Sequence, residues 1–163
     1  MELYVSEFSR YVMALLITLY TYECFAVFGY EDEDQRKGIY LRQNLLMFAF
    51  HFSCFLVICF ETGDITYLFF YAFQEIMLYA VIMLFRMLYP KSNRLVVNNM
   101  CMLLAIGFVI LTRLDFSKAV KQFIIATGSM GIALLVPLFI RKFKFLKSLK
   151  WLYALGGIFA RSI

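Results

Sequence analysis

The chain has 163 residues, of which 63% are hydrophobic and only 17% charged, with a mean hydropathy of +0.78. Soluble domains run about 45–50% apolar and about 25% charged, so a soluble fold of this size could not hide its apolar surface, and lipid is the expected solvent. The net charge of +5 would raise nucleic acid as a partner of a soluble protein. Here the cations fall in short clusters between apolar runs, so no nucleic-acid partner is expected.

The first apolar run spans about residues 11–28 and is closed by Gly29 and the acidic cluster Glu31, Asp32, Glu33 and Asp34. The second spans about 44–60 and ends at Glu61-Thr62-Gly63-Asp64. The third, about 67–89, stops at Pro90, which a helix interior tolerates poorly. The fourth covers about 96–111 and the fifth about 120–140. A sixth begins at Trp151 and has about 13 residues, too few to cross roughly 30 Å of hydrocarbon at 1.5 Å per residue. Continuous apolar runs of this length exclude a membrane barrel, whose strands alternate over about ten residues. The fold class expected is therefore all-α: a polytopic integral membrane bundle of five transmembrane helices plus the start of a sixth.

Lysine and arginine counts set the expected orientation. The loops after runs one, three and five hold eleven, including Arg36, Lys37, Arg42, Arg86, Lys91 and Arg94. The loops after runs two and four hold three: Arg113, Lys118 and Lys121. This asymmetry places loops one, three and five in the cytoplasm and the N-terminus outside. Glu2 and Glu7 stand where a signal peptide would be basic, so no signal peptide is expected.

Four polar side chains fall within runs: Glu23, His51, Gln74 and Glu75. Such residues are costly in a bilayer and mark functional sites by default. His51 and Glu75 both fall near mid-depth on neighbouring antiparallel spans, where they can share a proton or a hydrogen bond. That pair reads either as a proton relay of a small transporter or as an interhelical contact fixing register. Glu23 lies nearer the cytoplasmic end, within reach of Arg36 or Lys37. Run five carries the small-xxx-small pairs Thr127/Gly131 and Ser129/Ala133, expected to make it a packed inner helix, with Pro137 as a place for a kink. The four cysteines form no CxxC pair and read as small buried hydrophobes. No phosphate loop, nucleophile elbow, HExxH or acidic Ca loop occurs. No catalytic, cofactor-binding or metal-binding residue is assigned, and no cofactor is expected.

The stretch Asn98-Asn99-Met100-Cys101-Met102-Leu103-Leu104-Ala105-Ile106-Gly107-Phe108-Val109-Ile110-Leu111-Thr112-Arg113-Leu114, with Ala119-Val120-Lys121-Gln122-Phe123 after it, resembles the first hairpin of the SEDS family, the FtsW/RodA/SpoVE cell-cycle membrane proteins. There an apolar helix with an Ile-Gly core leaves the membrane on the outer face, and the next helix opens with a basic residue followed by Gln. The basic stretch from Ile140 to Lys147 and the helix start Trp151-Leu152-Tyr153-Ala154 continue the likeness. The resemblance covers about residues 95–163, leaving 1–94 as a three-helix N-terminal membrane extension. It implies a bacterial plasma-membrane protein of peptidoglycan synthesis and cell division, polymerising lipid-linked disaccharide beside a class B penicillin-binding protein. The family's catalytic motifs have no counterpart here, so the chain is expected to be the N-terminal part of such a protein, inactive alone. Arg113 and Lys121, on the expected outer face, are candidate contacts for anionic lipid, including the lipid-linked peptidoglycan precursor. The alternative is a non-enzymatic polytopic module or small transporter built on His51 and Glu75, with membrane lipids as its partners.

Overall fold

The computed structural model describes residues 2–142, so the sixth run and the basic stretch beyond Lys142 lie outside the described residues. Those residues form five α-helices: α1 (Glu2–Ala26), α2 (Glu33–Thr62), α3 (Thr66–Leu88), α4 (Arg94–Leu114) and α5 (Phe116–Lys142), with a 3-10 turn at Val27–Gly29. There is no strand among them, and all five helices are long and apolar enough to cross a membrane.

Short-range chemistry explains where the helices stop and start. Asp32 caps α2 by accepting the Asp34 amide at 3.3 Å, and Glu33 and Asp34 in the first turn face the positive end of the helix dipole. The acidic cluster read as closing the first run is thus also the start signal of α2. That helix begins eleven residues before the apolar run, so Arg36, Lys37 and Arg42 stand on a helix and not in a loop. Gly63 ends α2 at φ +66°, the left-handed conformation that favours glycine, and its N–H reaches the Cys59 carbonyl at 2.9 Å. The Asp64 side chain then accepts the Thr66 amide at 2.8 Å to open α3. Tyr89 ends α3 just before Pro90, and the Asn93 side chain caps α4 on the Leu95 amide at 3.0 Å. Asp115 is the whole α4–α5 connection, so Arg113, Lys118 and Lys121 are also helical.

Contacts divide the chain into residues 1–124 and residues 125–163. In the first unit, α1 packs on α2, α2 also packs on α3 and α4, and α3 packs on α4. Because the connections are short, neighbouring helices run antiparallel. One end of this unit gathers the α1–α2 and α3–α4 turns, and the other gathers the α2–α3 turn and Asp115. Near the latter end Phe55, Phe70 and Ala119 are buried together. Phe70 meets Phe116 and Phe123 edge-on with ring centroids at 5.2 and 5.7 Å, which fixes the first turns of α5 against α3.

In the second unit the described residues continue α5 through Pro137 to Lys142. Thr127, Ser129 and Ala133 are exposed, and the space beyond Gly128 and Gly131 is open. The expected packing of this stripe is therefore not realised among the described residues. Close approach needs a facing helix, which small residues permit but cannot supply.

Candidate functional site

The buried polar side chains lie in two layers. At mid-depth, His51 on α2 is fully enclosed. Its Nδ1 is 3.1 Å from Glu75 Oε2 and its Nε2 is 3.0 Å from Gln74 Oε1, both on α3. The imidazole packs against Phe55 and Tyr71 at centroid distances of 5.0 and 5.2 Å. Glu75 keeps 26% of its side chain exposed and opens onto a groove between α2 and α3 lined by Leu45, Phe48, Ile76 and Met83. Gln74 Nε2 is buried without a partner. Rotating that amide by a half-turn presents its NH2 to His51 Nε2 while Nδ1–H donates to Glu75. The neutral ring then has one acceptor and one donor partner.

The second layer lies nearer the α1–α2 and α3–α4 turns. Arg42 makes a two-pronged ion pair with Glu23, Nε to Oε1 at 2.8 Å and Nη2 to Oε2 at 3.1 Å. The expected partners of Glu23 are engaged elsewhere: Arg36 donates to the Tyr30 carbonyl at 2.6 Å and Lys37 pairs with Asp34 at 2.7 Å. The correction follows from the early start of α2, which puts Arg42 on the helix face toward α1. Gln43, also enclosed, donates to the Glu23 carbonyl at 3.1 Å and accepts from Asn98 on α4 at 3.0 Å. Tyr20 and Cys24 of α1 both donate to Asn99 Oδ1 on α4, at 2.9 and 3.2 Å. Gln43, Asn98 and Asn99 were not among the expected site residues; Gln43 directly precedes the second run, Asn98 and Asn99 fall within the fourth, and their amide character was the available signal.

At the opposite end Arg113 Nη2 reaches Glu61 Oε2 at 3.4 Å, and Lys118 pairs with Asp115 at 3.2 Å. Lys121 is exposed and forms no ion pair among the described residues. The structure thus does not bring Arg113 and Lys121 together on one partner. Backbone and side-chain hydrogen bonds with Lys118 hold the Asp115 carboxyl below the usual range, as those with Thr66 do for Asp64. No three His, Cys, Asp or Glu side chains are grouped to hold a metal among the described residues, and all four cysteines are free thiols.

The chain matches no family model, no curated protein and no solved structure. What the fold and site define, among the described residues, is a class: five membrane-length helices cross-linked by interhelical polar contacts.

Proposed function

We propose that this chain is a membrane-embedded module of the bacterial cell-wall growth and division machinery, a SEDS-type protein's three-helix extension and first core hairpin. The observation that carries the reading is the likeness of residues 98–114 and 119–123 to that hairpin. The α4–α5 connection supports it: an apolar helix with a basic residue in its last turn, a one-residue turn, and a helix carrying Lys121-Gln122. Large exposed side chains such as Phe8, Phe25, Phe69, Ile76, Leu103 and Ile124 support insertion into lipid, since soluble monomers rarely expose contiguous apolar surface on this scale. With the positive-inside rule, the N-terminus and Asp115 lie outside the plasma membrane, and the α1–α2 and α3–α4 turns lie inside.

In this reading the chain performs no glycosyl transfer itself, because no family catalytic motif falls on its residues. It packs beside the polymerising core and its class B penicillin-binding partner. The test is depletion in the native bacterium with a fluorescent D-amino acid as the probe of new wall. Incorporation at growth or division sites is expected to fall, and unchanged incorporation would remove the assignment.

A second reading is favoured by one observation, the enclosed His51 bonded at both ring nitrogens with Glu75 open to the groove. In it the chain is a free-standing proton-coupled carrier. Purified chain in vesicles carrying a pH-sensitive dye separates the two. The carrier reading requires proton flux abolished by Glu75→Gln, and the wall-machinery reading requires none above empty vesicles.

A further inference from the structure

A cavity of about 320 Å³ opens at the end of the first unit where α2 begins, α3 ends and α4 begins. Lys37, Arg86 and Arg94 line it, together with Tyr40, Asn44 and Asn98. An outer pocket shares Lys37, Tyr40 and Arg94 and adds Arg36 and Lys91. The groove between α2 and α3 shares Leu41, Asn44, Ile82 and Arg86 with the cavity and is otherwise mostly apolar. A basic chamber and an apolar channel therefore meet at Arg86 and Asn44.

Charge in the chamber is not balanced from within. Lys37 pairs with Asp34, whereas Arg86, Lys91 and Arg94 make no ion pair among the described residues. Glu33 is the one acidic side chain lining the outer pocket. Arg94 is also the first residue of α4, whose first turn carries no acid. A cation there stands against the positive end of the helix dipole, where an anion is favoured. Deeper in, Asn44 stands where the chamber and the channel join.

We infer that this cavity is a binding site for an anionic phospholipid, of the phosphatidylglycerol type. The phosphodiester sits between the guanidinium groups of Arg86 and Arg94, whose planar forks match phosphate oxygens in pairs. An acyl chain leaves past Arg86 along the α2–α3 groove, over Leu45, Ile76 and Met83. This channel is what selects a lipid over a soluble phosphate, which would leave it unfilled. The inference rests on the membrane reading of the five helices and is independent of the wall-synthesis assignment.

Native mass spectrometry of the full chain released from detergent micelles tests it, with phosphatidylglycerol, phosphatidylcholine and phosphatidic acid as probes. One saturable phosphatidylglycerol adduct is expected, held at least about tenfold more tightly than phosphatidylcholine, as loss of a charge-assisted contact implies. Arg86→Gln with Arg94→Gln should remove that preference, while Arg10→Gln, at the other end of the bundle, should retain it. Circular dichroism and elution volume matching the parent show that each variant is folded, and Arg86→Gln alone, at the more exposed of the two arginines, serves if the double variant is not. Equal adducts with all three lipids, or equal loss with Arg10→Gln, would mean cations meeting bulk headgroups and would overturn the site. Displacement by millimolar glycerol phosphate would overturn the lipid assignment by showing a soluble ligand. Extraction of the chain without detergent would instead overturn the membrane reading itself.

Discussion

Asn98 Nδ2 on α4 donates to Gln43 Oε1 on α2 at 3.0 Å, and Gln43 Nε2 donates in turn to the Glu23 carbonyl on α1 at 3.1 Å. Since α1 ends at Ala26, Glu23 lies in its last turn, where carbonyls run short of intrahelical partners. Gln43 therefore closes the end of one helix from a second and is itself oriented by a third. Gln43→Leu and Asn98→Leu should each lower stability by about 1–2 kcal/mol, since each strands a buried polar partner. A double-mutant cycle, read by reversible unfolding in mixed micelles, should show positive coupling. Strict additivity would mean that the two amides act independently.

The Glu23–Arg42 pair should respond asymmetrically. Glu23 keeps 14% of its side chain exposed and Arg42 keeps 57%. Arg42→Ala leaves a mostly enclosed carboxylate unpaired, whereas Glu23→Ala leaves an arginine free to extend to headgroups and water. Thermal midpoints in detergent should fall further for Arg42→Ala than for Glu23→Ala. Arg42→Lys should fall between wild type and Arg42→Ala, because a point charge replaces a fork. The reverse order of the two alanine variants would count against the pair as a burial-driven contact.

At mid-depth, His51→Leu removes the partner of both Gln74 and Glu75 and should cost about 1–3 kcal/mol. Glu75→Gln keeps an acceptor opposite His51 Nδ1 and should cost much less. If both variants unfold at the same denaturant concentration, the imidazole does not set the register of α2 against α3.

Asp115 ends α4 through its N–H on the Leu111 carbonyl at 2.9 Å and starts α5 by accepting the Lys118 amide at 3.0 Å. Its carboxyl is held below the usual range, chiefly by that backbone bond. A depressed folded-state value means the carboxylate stabilises the turn above the unfolded-state value. That contribution is lost as pH falls through the folded-state one. Amide exchange at Ser117 and Lys118 should therefore be more protected at neutral pH than in acid, after correction for intrinsic rates. Asp115→Asn should flatten this dependence while keeping the cap, and Asp115→Ala should lose protection at every pH.

Topology is open to labelling with a membrane-impermeant maleimide in intact cells, on a chain whose native cysteines are replaced. Cysteine at Asp64 should react from outside and cysteine at Lys91 only after permeabilisation. The opposite pattern would invert the bundle.

Five apolar helices were legible in the amino-acid sequence because hydropathy is a property of the local segment, as are the stops at Gly63 and Pro90. The meeting of His51 with Glu75 was also within reach, since similar depth on adjacent antiparallel helices leaves few other partners. Helix lengths were less accessible: α2 begins at Glu33 because Asp32 caps it, and an apolar window does not register a polar first three turns. Partner choice belonged to the tertiary structure alone. Glu23 takes Arg42 over Arg36 or Lys37, Arg113 takes Glu61, and Gln43 bridges α1 to α4, because the rotation of each helix about its axis decides which side chains face. The same rotations leave Arg86 and Arg94, eight residues apart and on different helices, lining one chamber. Charge counts alone could place those cations at a membrane face, but only the packing of α2, α3 and α4 makes a cavity of them.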